Sequence, residues 1–144
     1  SLLNATLVVR LGSRLLSHSA LLAFTAVAAI HTAVSALGFE TIWTFALLQG
    51  LTMFCFGFVA GNFGSMAMEP MGHIAGTASS AQGFISTTAG SLIGFLIGQQ
   101  FAGSATPMAA GIAVCGAVAV VFVLVAERGR LFRAHHQRVG APAG

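Results

Sequence analysis

The chain has 144 residues, of which 56% are hydrophobic and only 6% are charged, and its mean hydropathy is +0.91. A water-soluble domain of this size carries about 25% charged residues, so this composition excludes an ordinary soluble fold and predicts a lipid bilayer as the surroundings. The net charge is +3, and the arginines lie only near the two chain ends. Because no basic helix face with interleaved aromatic residues is present, nucleic acid is excluded as a partner.

Residues 1–18 are predicted to be the end of a truncated helix followed by a cytoplasmic loop. Residues 1–9 are apolar but would reach only about 14 Å as a helix, which is too short to cross a bilayer. The chain opens on Ser1, and this segment has neither the basic start nor the cleavage pattern of a signal peptide. We therefore expect a chain cut from a longer protein.

Four later runs are long enough to cross a bilayer, since about 20 residues at 1.5 Å each cover its roughly 30 Å core. They are residues 19–39, 42–63, 81–101 and 107–126. Residues that favour a helix start precede or open each run. They are Ser17 or Ser19, then Thr41, then Ser79 with Gln82 as a capping box, then Thr106 with Pro107. The sequence thus predicts an all-α, polytopic transmembrane helix bundle of four spans, within residues 19–126.

The arginines also predict an orientation. With four spans, the residues before the first, the connection between the second and third, and the tail at residues 127–144 share one side. All six arginines fall on that side, and Glu40 falls on the other. Positive residues near span ends are retained in the cytoplasm, so we expect an inner (plasma) membrane protein with a cytoplasmic, basic C-terminal tail. His135 and His136 in that tail are expected to be solvated rather than to bind metal.

A polar connection, NFGSMAMEPMGHIAGTASSAQGF, occupies residues 62–84. Pro70 disfavours helix at Glu69, so the second span is expected to end there, and Gly72 and Gly76 allow the chain to reverse. Hydroxyl side chains then offer oxygens to the open N–H groups of the third span. The connection is predicted to be a turn and a cap first, and a hinge at a cytoplasmic gate second. The gate candidates are Arg10, Arg14, Glu69, Pro70, Gly76, Thr77, Ser79 and Ser80.

Two segments resemble a known family. NATLVVRLGSRLL, residues 4–16, is similar to the short cytoplasmic link between the eighth and ninth helices of major facilitator superfamily transporters. HIAGTASSAQGF, residues 73–84, resembles the loop entering the eleventh helix in the Bcr/CflA-type multidrug efflux subfamily, and GSLIG at residues 90–94 resembles a G-x-x-x-G stretch of that helix. The resemblance implies the last four helices, plus the end of the eighth, of a twelve-helix transporter.

The function that the resemblance implies is proton-driven export of multiple drugs or small molecules by two halves that rock about a midplane site. Its implied partners are the lipid bilayer, the missing N-terminal half, a small lipophilic substrate and protons, with the coupling acid in the missing half. The residues themselves carry no nucleotide-binding G-x-x-x-x-G-K and no nucleophile beside a base, so no enzyme activity and no cofactor are expected. The alternative is a self-contained four-helix membrane protein that dimerises through glycine faces, as a small exporter or an assembly scaffold.

The third span carries two adjacent faces of different character. Gly83, Gly90, Gly94 and Gly98 lie on the first, where small residues let another helix backbone approach closely. The second face and a stripe on the second span are predicted to line a largely apolar substrate cavity, with helix packing or lipid contact as the simpler interpretation. The cavity candidates are Gln49, Met53, Phe56, Phe84, Thr88, Ser91, Phe95 and Gln99.

Three further residues, one histidine and two cysteines, are of types that often have a chemical role. An ionisable residue inside a membrane span suggests function, and for His31, placed near the middle of the first span, that function would be proton relay. We favour a neutral histidine bonded to a neighbouring helix, because the resemblance places this helix outside the cavity. Cys55 and Cys115 lie in apolar runs without the spacing of a disulfide framework or a metal site, so both are predicted to be packing residues.

Overall fold

The computed structural model describes residues 13–127. This part of the chain forms four α-helices and one 3-10 helix. They are α1 (Ser13–Ala36), α2 (Ile42–Met68), the 3-10 helix Glu69–Ile74, α3 (Ala75–Gly98) and α4 (Thr106–Ala126). The predicted all-helical fold class is confirmed. The predictions for the truncated helix, for Arg10 and for the C-terminal tail beyond Glu127 lie outside the described residues.

Three helical stretches are long and apolar enough to span a membrane. They are Arg14–Ala36, Ile42–Gly98 and Thr106–Ala126, and they agree with a multi-pass membrane protein. The middle stretch is 57 residues long, because α2, the 3-10 helix and α3 follow each other without a loop. By length and composition the described residues therefore provide three spans, where the sequence predicts four.

The start of α2 is the predicted one. The hydroxyl of Thr41 accepts a hydrogen bond from the backbone N–H of Thr44 at 3.2 Å, and the Thr44 hydroxyl accepts from the Thr41 N–H at 2.7 Å. This reciprocal capping box satisfies two backbone donors that the helix leaves open.

Thr41→Ala is expected to remove half of this capping box. Loss of a threonine N-cap costs about 1 kcal/mol, so the detergent-solubilised protein should unfold a few degrees earlier. Circular dichroism during heating measures this change. Thr32→Ala is the matched control, because the Thr32 hydroxyl only bonds back to the Ala28 carbonyl within the same helix. An equal loss in both variants would contradict the capping role.

The other predicted helix caps are not formed. α1 begins at Ser13, so Ser17 and Ser19 lie inside the helix. α4 begins at Thr106 with Pro107 in its first turn, as predicted, but no side-chain cap is formed there. α3 begins at Ala75, so Ser79 lies within it and does not form the predicted box. The 3-10 helix leads directly into α3, and this continuous helical backbone leaves no open first turn for a side chain to cap.

The core lies where α1 packs along both α2 and α4. Leu21, Phe24 and Cys55 are its buried centre, so the packing role predicted for Cys55 is confirmed, whereas Cys115 is exposed. Gly116 of α4 lies against α1 closely enough that a Cβ built on it would be 2.6 Å from the Thr25 hydroxyl oxygen. By contrast α3 has no buried residue. The described chain is therefore a body of α1, α2 and α4 with α3 at its edge.

Candidate functional site

A polar network joins α1, the α1–α2 turn and the start of α4 at one end of the bundle. Nε2 of His31 lies 2.9 Å from Oε1 of Glu40, and the Ser35 hydroxyl donates to Oε2 of the same carboxylate at 2.6 Å. The Ser35 oxygen is also 2.9 Å from the Thr106 hydroxyl, which lies 3.2 Å from that of Ser104.

The direction of each bond in this network follows from its acceptor. A carboxylate only accepts, so Nε2 of His31 must carry a hydrogen and donate to Glu40. Ser35 has a single hydroxyl proton, which it gives to Glu40, so Thr106 must donate to Ser35. Thr106 in turn accepts from Ser104. The bonds therefore point from α4 through α1 to one carboxylate, and such chains strengthen each member.

Burial makes this carboxylate unusual for a turn residue. His31 is 1% exposed and the Glu40 side chain is 18% exposed, and the His31 ring meets the edge of Phe45 at 5.5 Å between centroids. The hydrogen bond from Ser35 is the main reason why the pKa of Glu40 is lowered, and the bond from His31 adds to it, while desolvation opposes both. The network thus holds Glu40 ionised in a partly dry setting.

The opposite end of the bundle carries a second set of contacts. Arg14, a predicted gate residue, lies 3.2 Å from a carboxylate oxygen of Glu127 and so links the start of α1 to the end of α4. Nearby, Ser17 donates to the Met66 sulfur at 3.7 Å, and the His18 ring faces Phe63 with 6.2 Å between centroids. Because the Arg14 side chain is about one-third exposed, the ion pair by itself contributes at most about 1 kcal/mol.

The other gate candidates lie on and after the 3-10 helix. Glu69 and Pro70 open it directly after α2 ends at Met68. α2 thus ends next to Pro70, as expected from the proline, but it extends beyond the predicted span bound at residue 63. Gly76, Thr77, Ser79 and Ser80 lie in the first turns of α3 rather than in a loop. The Ser79 hydroxyl is 3.5 Å from the Met68 sulfur, and Met71 between them has a non-helical backbone. A break in the helix therefore exists here, but its role as a gate stays a prediction.

The predicted cavity residues lie on two helices that touch only slightly, α2 and α3. On α2, Phe56 contacts the ring of Phe24 at 6.1 Å, and the side-chain oxygen of Gln49 is buried without a hydrogen-bond partner among the described residues. The α3 candidates are all exposed; they are Phe84, Thr88, Ser91 and Phe95, with Gln99 just after its end. The described residues do not assemble the two sets, and their common cavity stays a prediction.

The glycine face of α3 is open. A Cβ built on Gly83, Gly90, Gly94 or Gly98 would meet no atom of another element within 4 Å. Where α3 ends and α4 begins, an apolar groove of about 490 Å³ lies beside this face. It is lined by Gly94, Ile97, Gly98, Phe101, Pro107, Met108 and Ile112. Close approaches are found instead at two glycines of α4, at Gly111 against the Ile97 side chain and at Gly116 against Thr25 and Phe24.

Sequence reasoning missed the network around Glu40. It placed His31 near the middle of a span and expected a bond to a neighbouring helix, but α1 ends at Ala36 and the partner is the turn residue Glu40. A local signal was present, because His31 and Ser35 are four residues apart on one helix face and an acid follows in the next turn. Nothing local could have indicated Thr106, which reaches Ser35 only through folding.

Comparison with known proteins found no matching family model, no matching curated protein and no matching solved structure.

Proposed function

We propose that the chain is the C-terminal part of a secondary active transporter of the major facilitator type, a proton-coupled exporter of drugs or other small lipophilic molecules. The observation that carries this proposal is α3, an apolar helix of 24 residues with no buried residue. A helix of this length spans about 36 Å and can cross a bilayer. In the whole transporter, other helices of the same protein would cover the exposed faces of α3.

The composition of α3 supports a protein partner rather than lipid on part of its surface. Glycines at four-residue steps and hydroxyl residues such as Thr88 and Ser91 lie on adjacent faces. Small residues gain from close helix contact, whereas they offer lipid chains little surface. Polar side chains in a span usually face a bundle interior or a water-filled cavity. One side of α3 is therefore suited to a neighbouring helix and the next to a cavity.

The length of the middle stretch supports two spans there instead of one. Its 57 residues would reach about 86 Å if straight, nearly three times the bilayer core. The 3-10 helix Glu69–Ile74, with its non-helical Met71, provides the break at which the chain can return through the membrane. Four spans then place all the arginines on one side, which we assign to the cytoplasm of a cell with an inner membrane.

The second candidate is a self-contained membrane protein that forms dimers through α3. The open face of Gly90, Gly94 and Gly98 favours it, since such faces mediate helix dimers in membranes. In that case α3 of a second copy, and not the rest of a transporter, would cover the glycines.

Cysteine labelling distinguishes these candidates. The experiment starts from a Cys55→Ala, Cys115→Ala chain, expressed in its own membrane with the whole of its reading frame. A hydrophilic maleimide should label Ser91→Cys, and lipophilic cations that the cells export should protect it. Ile93→Cys is the matched control at the same depth, because two residues at 3.6 per turn place it on nearly the opposite side. It should stay unlabelled in lipid.

Each other outcome excludes the exporter proposal. Equal labelling of both positions would show that α3 lies in water, and failure to label Ser91→Cys would place its face in lipid or in a dry contact. In the dimer candidate Ser91→Cys stays unlabelled, while Gly94→Cys forms a disulfide-linked dimer. Efflux by the 144-residue chain alone, at the rate of the whole reading frame, would also contradict the proposal.

A further inference from the structure

We propose that the network around Glu40 is an acid-sensitive latch, which fastens the α1–α2 turn and the end of α1 to the start of α4 and opens when the Glu40 carboxylate is protonated. This inference concerns the fold of the described residues and holds whether or not the chain belongs to an exporter. It rests on the order of the hydrogen bonds and on the burial of His31.

The latch depends on both oxygens of one carboxylate. Oε1 accepts from His31 and Oε2 accepts from Ser35, and the Ser35 bond in turn fixes Thr106 as the donor from α4. When the carboxyl group is protonated, one of these oxygens carries a hydrogen. This hydrogen faces either the N–H of His31 or the O–H of Ser35. One of the two bonds must then break, or the row of hydroxyl groups must reverse.

The burial of His31 makes the loss larger. Its side chain is 1% exposed, and its Nε2–H donates to the Glu40 carboxylate at 2.9 Å. A buried N–H donor that loses its acceptor is unfavourable. Where the His31 bond is the one that breaks, movement of the Glu40 turn away from α1 is therefore favoured, because it lets water reach the freed donor.

The sign of the pH dependence follows from Glu40. Because the Ser35 bond, the largest cause, lowers the pKa of Glu40 in the folded chain, the carboxylate stabilises the closed latch at neutral pH. That stabilisation is lost as the pH falls through the lowered pKa. Among the described residues His31 is the one other titratable group in the network; α2 contributes the edge of Phe45, and α4 contributes the Thr106 hydroxyl.

Trp43 reports on the latch. It lies in the first turn of α2 next to the Glu40 turn, is 81% exposed, and is the single tryptophan of a chain without tyrosine. The tryptophan emission of the protein in detergent or lipid nanodiscs is followed while the pH is lowered into the acid range. A reversible change in emission is expected, without loss of helical circular dichroism. Glu40→Gln should abolish the change, and Glu69→Gln, which alters an exposed acid in the 3-10 helix, should keep it.

Two further variants keep the test decisive if Glu40→Gln does not fold. Ser35→Ala removes the main cause of the lowered pKa, so the emission change should move to higher pH. Thr106→Val leaves the carboxylate bonds in place but cuts the link to α4, so the emission at neutral pH should already resemble the acid form. The latch is refuted by a change that persists in Glu40→Gln, by its absence from the unaltered protein, or by helix loss that accompanies it.

Discussion

Gly116→Leu should lower the unfolding temperature of the solubilised protein by about 12 °C. Even a Cβ at this position would be 2.6 Å from the Thr25 oxygen and 3.2 Å from the Phe24 ring. Thr25 cannot turn away freely, because its hydroxyl bonds to the Leu21 carbonyl at 2.9 Å. Overpacking of this kind costs about 3 kcal/mol at the upper end of its usual range, and each kcal/mol corresponds to roughly 4 °C for a chain of this size.

Gly57→Leu, in the middle of α2, is the matched control for this measurement. It makes the same replacement in the middle of a helix and gains the same helix propensity, up to about 1 kcal/mol, but nothing lies within 4 Å of the added Cβ. Its unfolding temperature should stay level or rise. A similar fall in both variants would mean that leucine harms any membrane helix here, and that the α1–α4 contact at Gly116 has no special part.

The glycines of α3 and α4 also show what the sequence could predict about packing. The apolar length of the runs and the threonine before α2 are local features, so the helical class and the start of α2 were predictable. Which glycine meets another helix depends on which faces turn toward each other. The regular steps from Gly90 to Gly98 gave the stronger pattern, yet the close approaches occur at Gly111 and Gly116 of α4, which form no such four-residue repeat. Long-range packing therefore determines which glycine is approached closely by another helix.

In the polar network too, some contacts follow from the local sequence and others only from long-range packing. The spacing of His31 and Ser35 is a property of one helix, and Glu40 follows in the adjoining turn, so half of the network could be found by local reasoning. Thr106 joins from the far end of the sequence, because α1 and α4 pack side by side. A histidine in the middle of a span is commonly expected to find its hydrogen-bond partner on a neighbouring helix. Here the helix ended earlier than its hydropathy suggested, and the turn supplied the partner.

Glu40→Leu should destabilise the protein by about 2 kcal/mol at neutral pH, whereas His31→Leu combined with it should cost less than the sum of the two single changes. Removing the carboxylate leaves the donor of a 1% exposed His31 and the hydroxyl of Ser35 without their acceptor. A buried donor left unsatisfied costs about 1–3 kcal/mol. Replacing both partners by apolar side chains removes the unsatisfied group as well, so most of that penalty is recovered.

Thermal unfolding of the four proteins in one detergent gives this cycle, and the expected coupling is about 1–2 kcal/mol, in the range for residues in direct contact. Glu69→Leu is the control, because Glu69 is an exposed acid at the start of the 3-10 helix and its loss should change stability little. Additive effects of the Glu40 and His31 changes would mean that the 2.9 Å contact contributes nothing to the fold. Coupling confined to neutral pH, and absent in acid, would tie the stability of this end of the bundle to the charge on Glu40.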